Sequence, residues 1–116
     1  MTPNQTAEIN IAITFRHTES TEALKSYAHQ KVSHCLEKYV SGQADVQLVL
    51  CVEKRDHIVE VKLHNKEFDI SCKSVTEDLY SAIDKVVDVL EAQIRKQKER
   101  LKSHRHPSIK EIGVPE

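Results

Sequence analysis

The sequence predicts an α+β domain of order β-α-β-β-β-α, a four-stranded sheet with two helices packed on one face. Three observations carry this prediction. Four short segments alternate apolar and polar residues with period two, two longer segments repeat apolar residues every three or four positions, and 116 residues leave room for one modest core.

Ile9, Ile11, Ile13 and Phe15 alternate with Asn10, Ala12, Thr14 and Arg16, which predicts a half-buried strand over about 8–15. In Thr18-Glu19-Ser20-Thr21-Glu22 a hydroxyl can accept from the free amides of a first helical turn, and Glu22 suits the positive end of the helix dipole. The first helix is expected over about 21–40, with Leu24, Tyr27, Ala28, Val32, Cys35, Leu36 and Tyr39 as its inward stripe. Lys25, His29, Lys31, His34 and Lys38 lie off that stripe, and Ser41-Gly42 is expected to end the helix, since glycine tolerates positive φ.

Val46, Leu48, Leu50 and Val52 predict the second strand, Glu53-Lys54-Arg55-Asp56 a polar turn, and Val59, Val61 and Leu63 the third strand. Asn65-Lys66 reads as a tight hairpin turn before a fourth strand whose inward row is Phe68, Ile70 and Cys72. Ser74-Val75-Thr76-Glu77 fits a capping box, with Thr76 as an alternative cap. The second helix is expected over about 76–103, burying Leu79, Ile83, Val86, Val87, Leu90, Ile94 and Leu101. At 1.5 Å per residue it is roughly 40 Å long, so its end is expected to project past the sheet. Residues 1–103 form the predicted domain, and 104–116, with Pro107 and Pro115, a mobile C-terminal tail.

Composition argues against catalysis. Two glycines and three prolines leave little irregular loop for an elaborate active site. The sequence carries no Gly-rich phosphate loop, no GxSxG and no HExxH, and Asp78 and Asp84, six apart on a helix, point to different faces. Cys35, Cys51 and Cys72 are odd in number and widely spaced, which fits reduced, buried small hydrophobes better than a disulfide framework or a standard zinc site. His104-Arg105-His106 sits among cations that disfavour a divalent metal. No catalytic residue, metal ligand or cofactor is assigned. No apolar run approaches the roughly 20 residues of a membrane span, and the N-terminus lacks a basic-then-apolar leader, so a cytoplasmic location is expected.

The charge distribution is the informative feature. The formal net charge is −1, but residues 1–94 hold 10 Lys+Arg against 15 Asp+Glu, whereas residues 95–106 hold 6 against 1. Glu99 is the one acid in that stretch, so intrahelical pairing cannot absorb the positive charge. Arg95, Lys98 and Lys102 follow i, i+3, i+7 on one face, and Lys96 and Arg100 widen the band. Lys25 and Lys31 on the first helix and Lys85 on the second extend it toward a groove between the helices. Such a surface suits a phosphate backbone, and the scarcity of aromatics argues against stacking on single-stranded bases. Folded RNA read by shape fits better than DNA read by sequence.

Asp78-Leu79-Tyr80-Ser81-Ala82-Ile83-Asp84, Leu90, Gln93-Ile94-Arg95-Lys96-Gln97-Lys98 and Leu101-Lys102 resemble the second-helix signature of the ribosome hibernation promoting factor family, also known as ribosome-associated inhibitor A or sigma-54 modulation protein. Arg16-His17 and Thr21-Glu22-Ala23-Leu24 resemble its other landmark, and the likeness covers residues 8–103. The resemblance implies a β-α-β-β-β-α domain in the decoding channel of the small ribosomal subunit, contacting ribosomal RNA through both helices and blocking the messenger and transfer-RNA sites in stationary-phase or starved cells. Carried onto this sequence, the RNA-binding positions are Arg16, Lys25, Lys31, Arg95, Lys96, Lys98, Arg100 and Lys102. The chain departs from the family pattern at Val89 and Ala92, where a basic residue is frequent, and in one extra residue near His34-Cys35, which turns Lys38 by about 100°. Ending at Glu116, it resembles a short form, monomeric off the ribosome, for which a separate protein would drive ribosome dimerisation. Two other readings stay open: a double-stranded-RNA-binding module, against which the acidic Glu77-Asp78 start of the second helix speaks, and a metal- or thiol-dependent enzyme.

Overall fold

The computed structural model describes residues 8–104, with side chains through Arg100. Four strands, β1 (Glu8–Arg16), β2 (Gln43–Glu53), β3 (Asp56–Asn65) and β4 (Asp69–Thr76), and two helices, α1 (Glu22–Glu37) and α2 (Leu79–His104), follow in the expected order. The strands lie in sequence order, with β1 parallel to β2 and the remaining pairs antiparallel. The parallel β1–β2 pair requires a crossover, which α1 supplies.

Both helices cover one face. Val46, Leu48 and Leu50 of β2, Val59, Val61 and Leu63 of β3 and Ile70 of β4 meet Ala28, Val32 and Leu36 of α1 and Ala82, Ile83, Val86, Leu90 and Ile94 of α2 in one buried core. The inward row of β1, Ile9, Ile11, Ile13 and Phe15, stays half-buried because β1 is an edge strand. An open groove lined by Ile11, Ile13, Lys25 and His29 runs between it and α1.

Thr21 caps α1, its Oγ1 accepting from Leu24 N at 3.1 Å. The helix ends earlier than expected, at Glu37, and the chain turns through Lys38–Val40 so that Val40 is buried. Gly42, with φ +83°, serves the entry to β2, where its carbonyl accepts from Glu8 N at 2.8 Å. The β3–β4 turn also differs: the loop pair is Lys66-Glu67. Asn65 and Phe68 bond to each other's backbone across it, and Asn65 Oδ1 accepts from Glu67 N at 2.7 Å. The Asn side chain thus replaces the positive-φ residue that a tight hairpin otherwise needs. Phe68 is buried as expected, but in that turn, before β4 begins.

The expected caps of the second helix are corrected. Ser74 is a buried strand residue whose hydroxyl donates to Ala82 O at 2.6 Å, tying β4 to α2. Thr76 bonds to Asp78 in the turn, donating to its carbonyl and accepting from its amide. Asp78 is the cap: its carbonyl accepts from Ala82 N, and its carboxylate accepts from Ser81 N and Ser81 Oγ, both at 2.8 Å. These bonds, the Ser81 amide first, lower the Asp78 pKa from its ordinary 3.8. Sequence spacing could not separate three nearby oxygens, because which of them meets a free amide depends on where β4 releases the chain.

Candidate nucleic-acid interface

α1 and α2 lie side by side and run in the same direction, since Tyr27 reaches Asp84 and Tyr39 reaches Glu91. Tyr27 lies at the margin of the α1 stripe and Tyr39 in the turn just after the helix; both are half-buried, with the hydroxyl directed at a carboxylate of α2. Tyr27 donates to Asp84 Oδ1 at 2.6 Å, and that bond is the main cause of a phenol pKa raised above 10.0. Tyr80 packs edge-on against Tyr27, ring centroids 5.0 Å apart.

The seam is therefore acidic at its centre. The sequence leads to a basic groove here, but Asp84 and Glu91 occupy it and draw in the cations of both helices. Lys31 Nζ lies 3.5 Å from Asp84, while Lys38 and Arg95 lie 3.3 and 3.8 Å from the same Glu91 oxygen. Lys25 faces Glu22 on its own helix at 3.8 Å. The Glu91 carboxyl is held below its ordinary 4.5 chiefly by the Tyr39 hydrogen bond and then by Lys38, and the Arg95 guanidinium is pushed further up by Tyr39 and Glu91.

Past the seam the balance changes. Among the described residues, no carboxylate comes within ion-pair distance of Lys85, Lys96, Lys98 or Arg100. Among the described residues Ile94 is the last fully buried one of α2, and Lys98 lies over the Phe68 ring at 5.9 Å, where the β3–β4 turn ends the sheet; Leu101 lies outside the residues whose side chains are described. Gln97 is half-buried, and the other described side chains of α2 past Ile94 are exposed. At 100° per residue, Arg95 and Lys98 continue the flank that carries Asp84 and Glu91, whereas Lys85, Lys96 and Arg100 align on the other flank. The side chain of Lys102 lies outside the described residues.

The expected site residues are not brought into one patch. Arg16 closes β1 and Lys25 belongs to the start of α1, at the end of the sheet where α2 begins; residues 95–100 lie at the opposite end. Lys31 lies between, neutralised by Asp84. The interface that the described residues offer to a polyanion is thus an exposed basic helix end. A smaller cationic group stands at the far end, with an acid-paired seam between them.

Near Arg16 a second cluster escaped the sequence reading. His17, Cys51 and Glu53 each offer one ligand atom, and these atoms lie within 4.8 Å of one another. Positions 17 and 51 are separated by a helix and a strand, so no spacing motif signals the grouping. Cys35 and Cys72 stand apart from it, and burial pushes both thiols up to about 11. No helix among the described residues is long and apolar enough to cross a membrane.

Comparison with known proteins is consistent with this geometry. Residues 11–102 match the family described as sigma 54 modulation protein / S30EA ribosomal protein. The sequence is 35% identical over 96 residues to the ribosome hibernation promoting factor of Escherichia coli K12, covering 83% of this chain and all of that protein. It is 32% identical over 92 residues to the factor of the same name from Azotobacter vinelandii, covering 79% of this chain and 85% of the relative. Among solved structures, the N-terminal domain of Thermus thermophilus Protein Y superposes with a TM-score of 0.68 at 26% identity, over 75% of this chain and 97% of that one. A ribosomal subunit interface protein from Coxiella burnetii, at 20% identity, shares the fold with a TM-score of 0.69 over 78% of this chain and 98% of its own.

Proposed function

Because the chain belongs to the sigma 54 modulation protein / S30EA ribosomal protein family, we propose that it is a non-enzymatic ribosome hibernation factor that binds the small ribosomal subunit. It acts by occupancy: seated in the decoding channel against ribosomal RNA, it blocks the messenger and transfer-RNA sites and silences translation in starved or stationary-phase cells. The observation that carries this reading is the exposed end of α2, where Arg95, Lys96, Lys98 and Arg100 face solvent, Glu99 is the one acid in the stretch, and Glu91 engages Arg95 alone of the four. A phosphate backbone rewards such a surface through counterion release. Arg16, Lys25, Lys31, Lys85 and Lys102 complete the proposed contact set, with Lys31 exchanging Asp84 for a phosphate on binding.

The test is co-sedimentation of the protein with small ribosomal subunits across a salt series, beside an Arg95→Glu, Lys98→Glu variant of unchanged fold. Saturable binding is expected, with a slope of log affinity against log salt on the order of −4 to −5 for about six phosphate contacts, and binding lost in the variant. Equal affinity for an isolated RNA duplex would favour a general double-stranded-RNA binder, and unchanged binding of the variant would remove the helix end from the interface.

A further inference from the structure

We propose that His17, Cys51 and Glu53 form a surface binding site for a divalent transition metal of the zinc class, at the corner where β1 and β2 end. The backbone builds it in two steps. Arg16 pairs with Cys51 in the last rung of the parallel β1–β2 ladder, so the residue after Arg16 must leave the sheet beside Cys51. His17 leaves with φ +58°, a left-handed conformation uncommon outside glycine, and this turn sends its ring back toward β2. Cys51 and Glu53, two apart on one strand, project from the same face. That face is opposite the one that buries Leu50 under the helices.

Of the two distances from the His17 ring, one is that of a long sulfur hydrogen bond and the other is not a hydrogen bond. His17 Nδ1 lies 3.8 Å from Cys51 Sγ and 3.9 Å from a Glu53 carboxylate oxygen. The second separation is beyond the range of an N–H···O bond. A tetrahedral zinc ion, with Zn–S about 2.3 Å and Zn–N or Zn–O about 2.0–2.2 Å, holds one sulfur and two N or O ligand atoms roughly 3.3–3.7 Å apart. The three atoms, all within 4.8 Å of one another, reach that geometry by closing on the ion through the exposed side chains of His17 and Glu53. Exposed side chains at His17 and Glu53, 68% and 58% accessible, leave the fourth position to water.

Donor chemistry selects the metal. A thiolate with an imidazole favours zinc-class ions over magnesium or calcium, which take oxygen ligands. Binding forms a metal–sulfur bond and releases the Cys51 thiol proton to solvent, and the two anionic ligands neutralise the dication. Arg16, Lys54 and Arg55 stand nearby in sequence and weaken the affinity without removing a ligand. The site clamps the β1 exit to β2 and does not depend on the ribosomal reading.

The reduced, metal-free full-length chain is titrated with cobalt(II), whose thiolate charge-transfer band reports sulfur ligation and whose visible bands report tetrahedral geometry. One equivalent is expected, displaced by zinc, abolished in Cys51→Ser and weakened at least about tenfold in His17→Ala. A Cys35→Ser, Cys72→Ser variant is expected to bind as the parent does. His104 and His106 offer no thiolate, so cobalt held by them lacks the charge-transfer band. Absence of a saturable band overturns the site, as does a band that survives Cys51→Ser. Parent-like affinity in His17→Ala, a surface change that spares the core, overturns it even if the serine variant does not fold.

Discussion

The Tyr39 hydroxyl donates to Glu91 Oε2 at 2.6 Å, and Lys38, at the C-cap of α1, and Arg95 of α2 converge on the same oxygen. One carboxylate therefore holds α1 to α2 and occupies two cations that a polyanion would otherwise meet. In Glu91→Gln both cations are released. If the basic end of α2 meets ribosomal RNA, small-subunit binding tightens and the salt slope steepens by about one, read by the same co-sedimentation series. Weaker binding would mean instead that Glu91 positions Lys38 and Arg95 for contact.

The same carboxylate sets part of the acid stability. Glu91 and Asp78 both have pKa values lowered in the folded state, from ordinary values of 4.5 and 3.8. Their stabilising contribution is complete above those ordinary values and is lost as pH falls through the lower folded ones. Denaturant unfolding between pH 6 and about pH 2 is expected to show a smaller acid-side loss in a Glu91→Gln, Asp78→Asn variant than in the parent. Parallel curves would deny these groups a role.

Ser74 offers a test of the strand-to-helix tie. Its hydroxyl is buried and bonded to Ala82 O, so Ser74→Ala is expected to cost roughly 1 kcal/mol. Thr21→Ala, which removes the α1 cap, costs about 0.5–2 kcal/mol. Urea unfolding at neutral pH measures both, and a neutral Ser74→Ala would mean that the bond adds nothing net.

Leu90 is fully buried between α2 and the sheet, and Leu90→Ala is expected to cost about 2–5 kcal/mol through lost transfer energy and a residual cavity. A cost under about 1 kcal/mol would show that the helix seat collapses around the vacancy.

Burial leaves the Cys35 and Cys72 thiols near 11, so at pH 8 only on the order of 0.1% of each is thiolate. Alkylation followed by peptide mass analysis is expected to label both slowly in the native chain and rapidly in denaturant. Fast native labelling of Cys35 would contradict its burial.

Much of the architecture was legible in the residues themselves. The alternation from Ile9 to Phe15, the stripe from Leu24 to Leu36 and the run from Leu79 to Ile94 each mark a local face, and local faces repeat at the period of the backbone that displays them. The imbalance after Ile94 was equally plain, because a run of cations on one helix with a single acid cannot be neutralised within that helix. These facts determined the element order, the single covered face of the sheet and the basic helix end. Tertiary structure alone decided the rest: the parallel β1–β2 pairing, the choice of Asp78 over Ser74 as cap, the acids that neutralise the seam and the convergence of His17 on Cys51. Tyr39 and Glu91 are 52 positions apart and His17 and Cys51 are 34. Periodicity tells which way each side chain points from its own element, but the partner it finds depends on strand order and on how far one helix slides along another, which packing of the whole core decides.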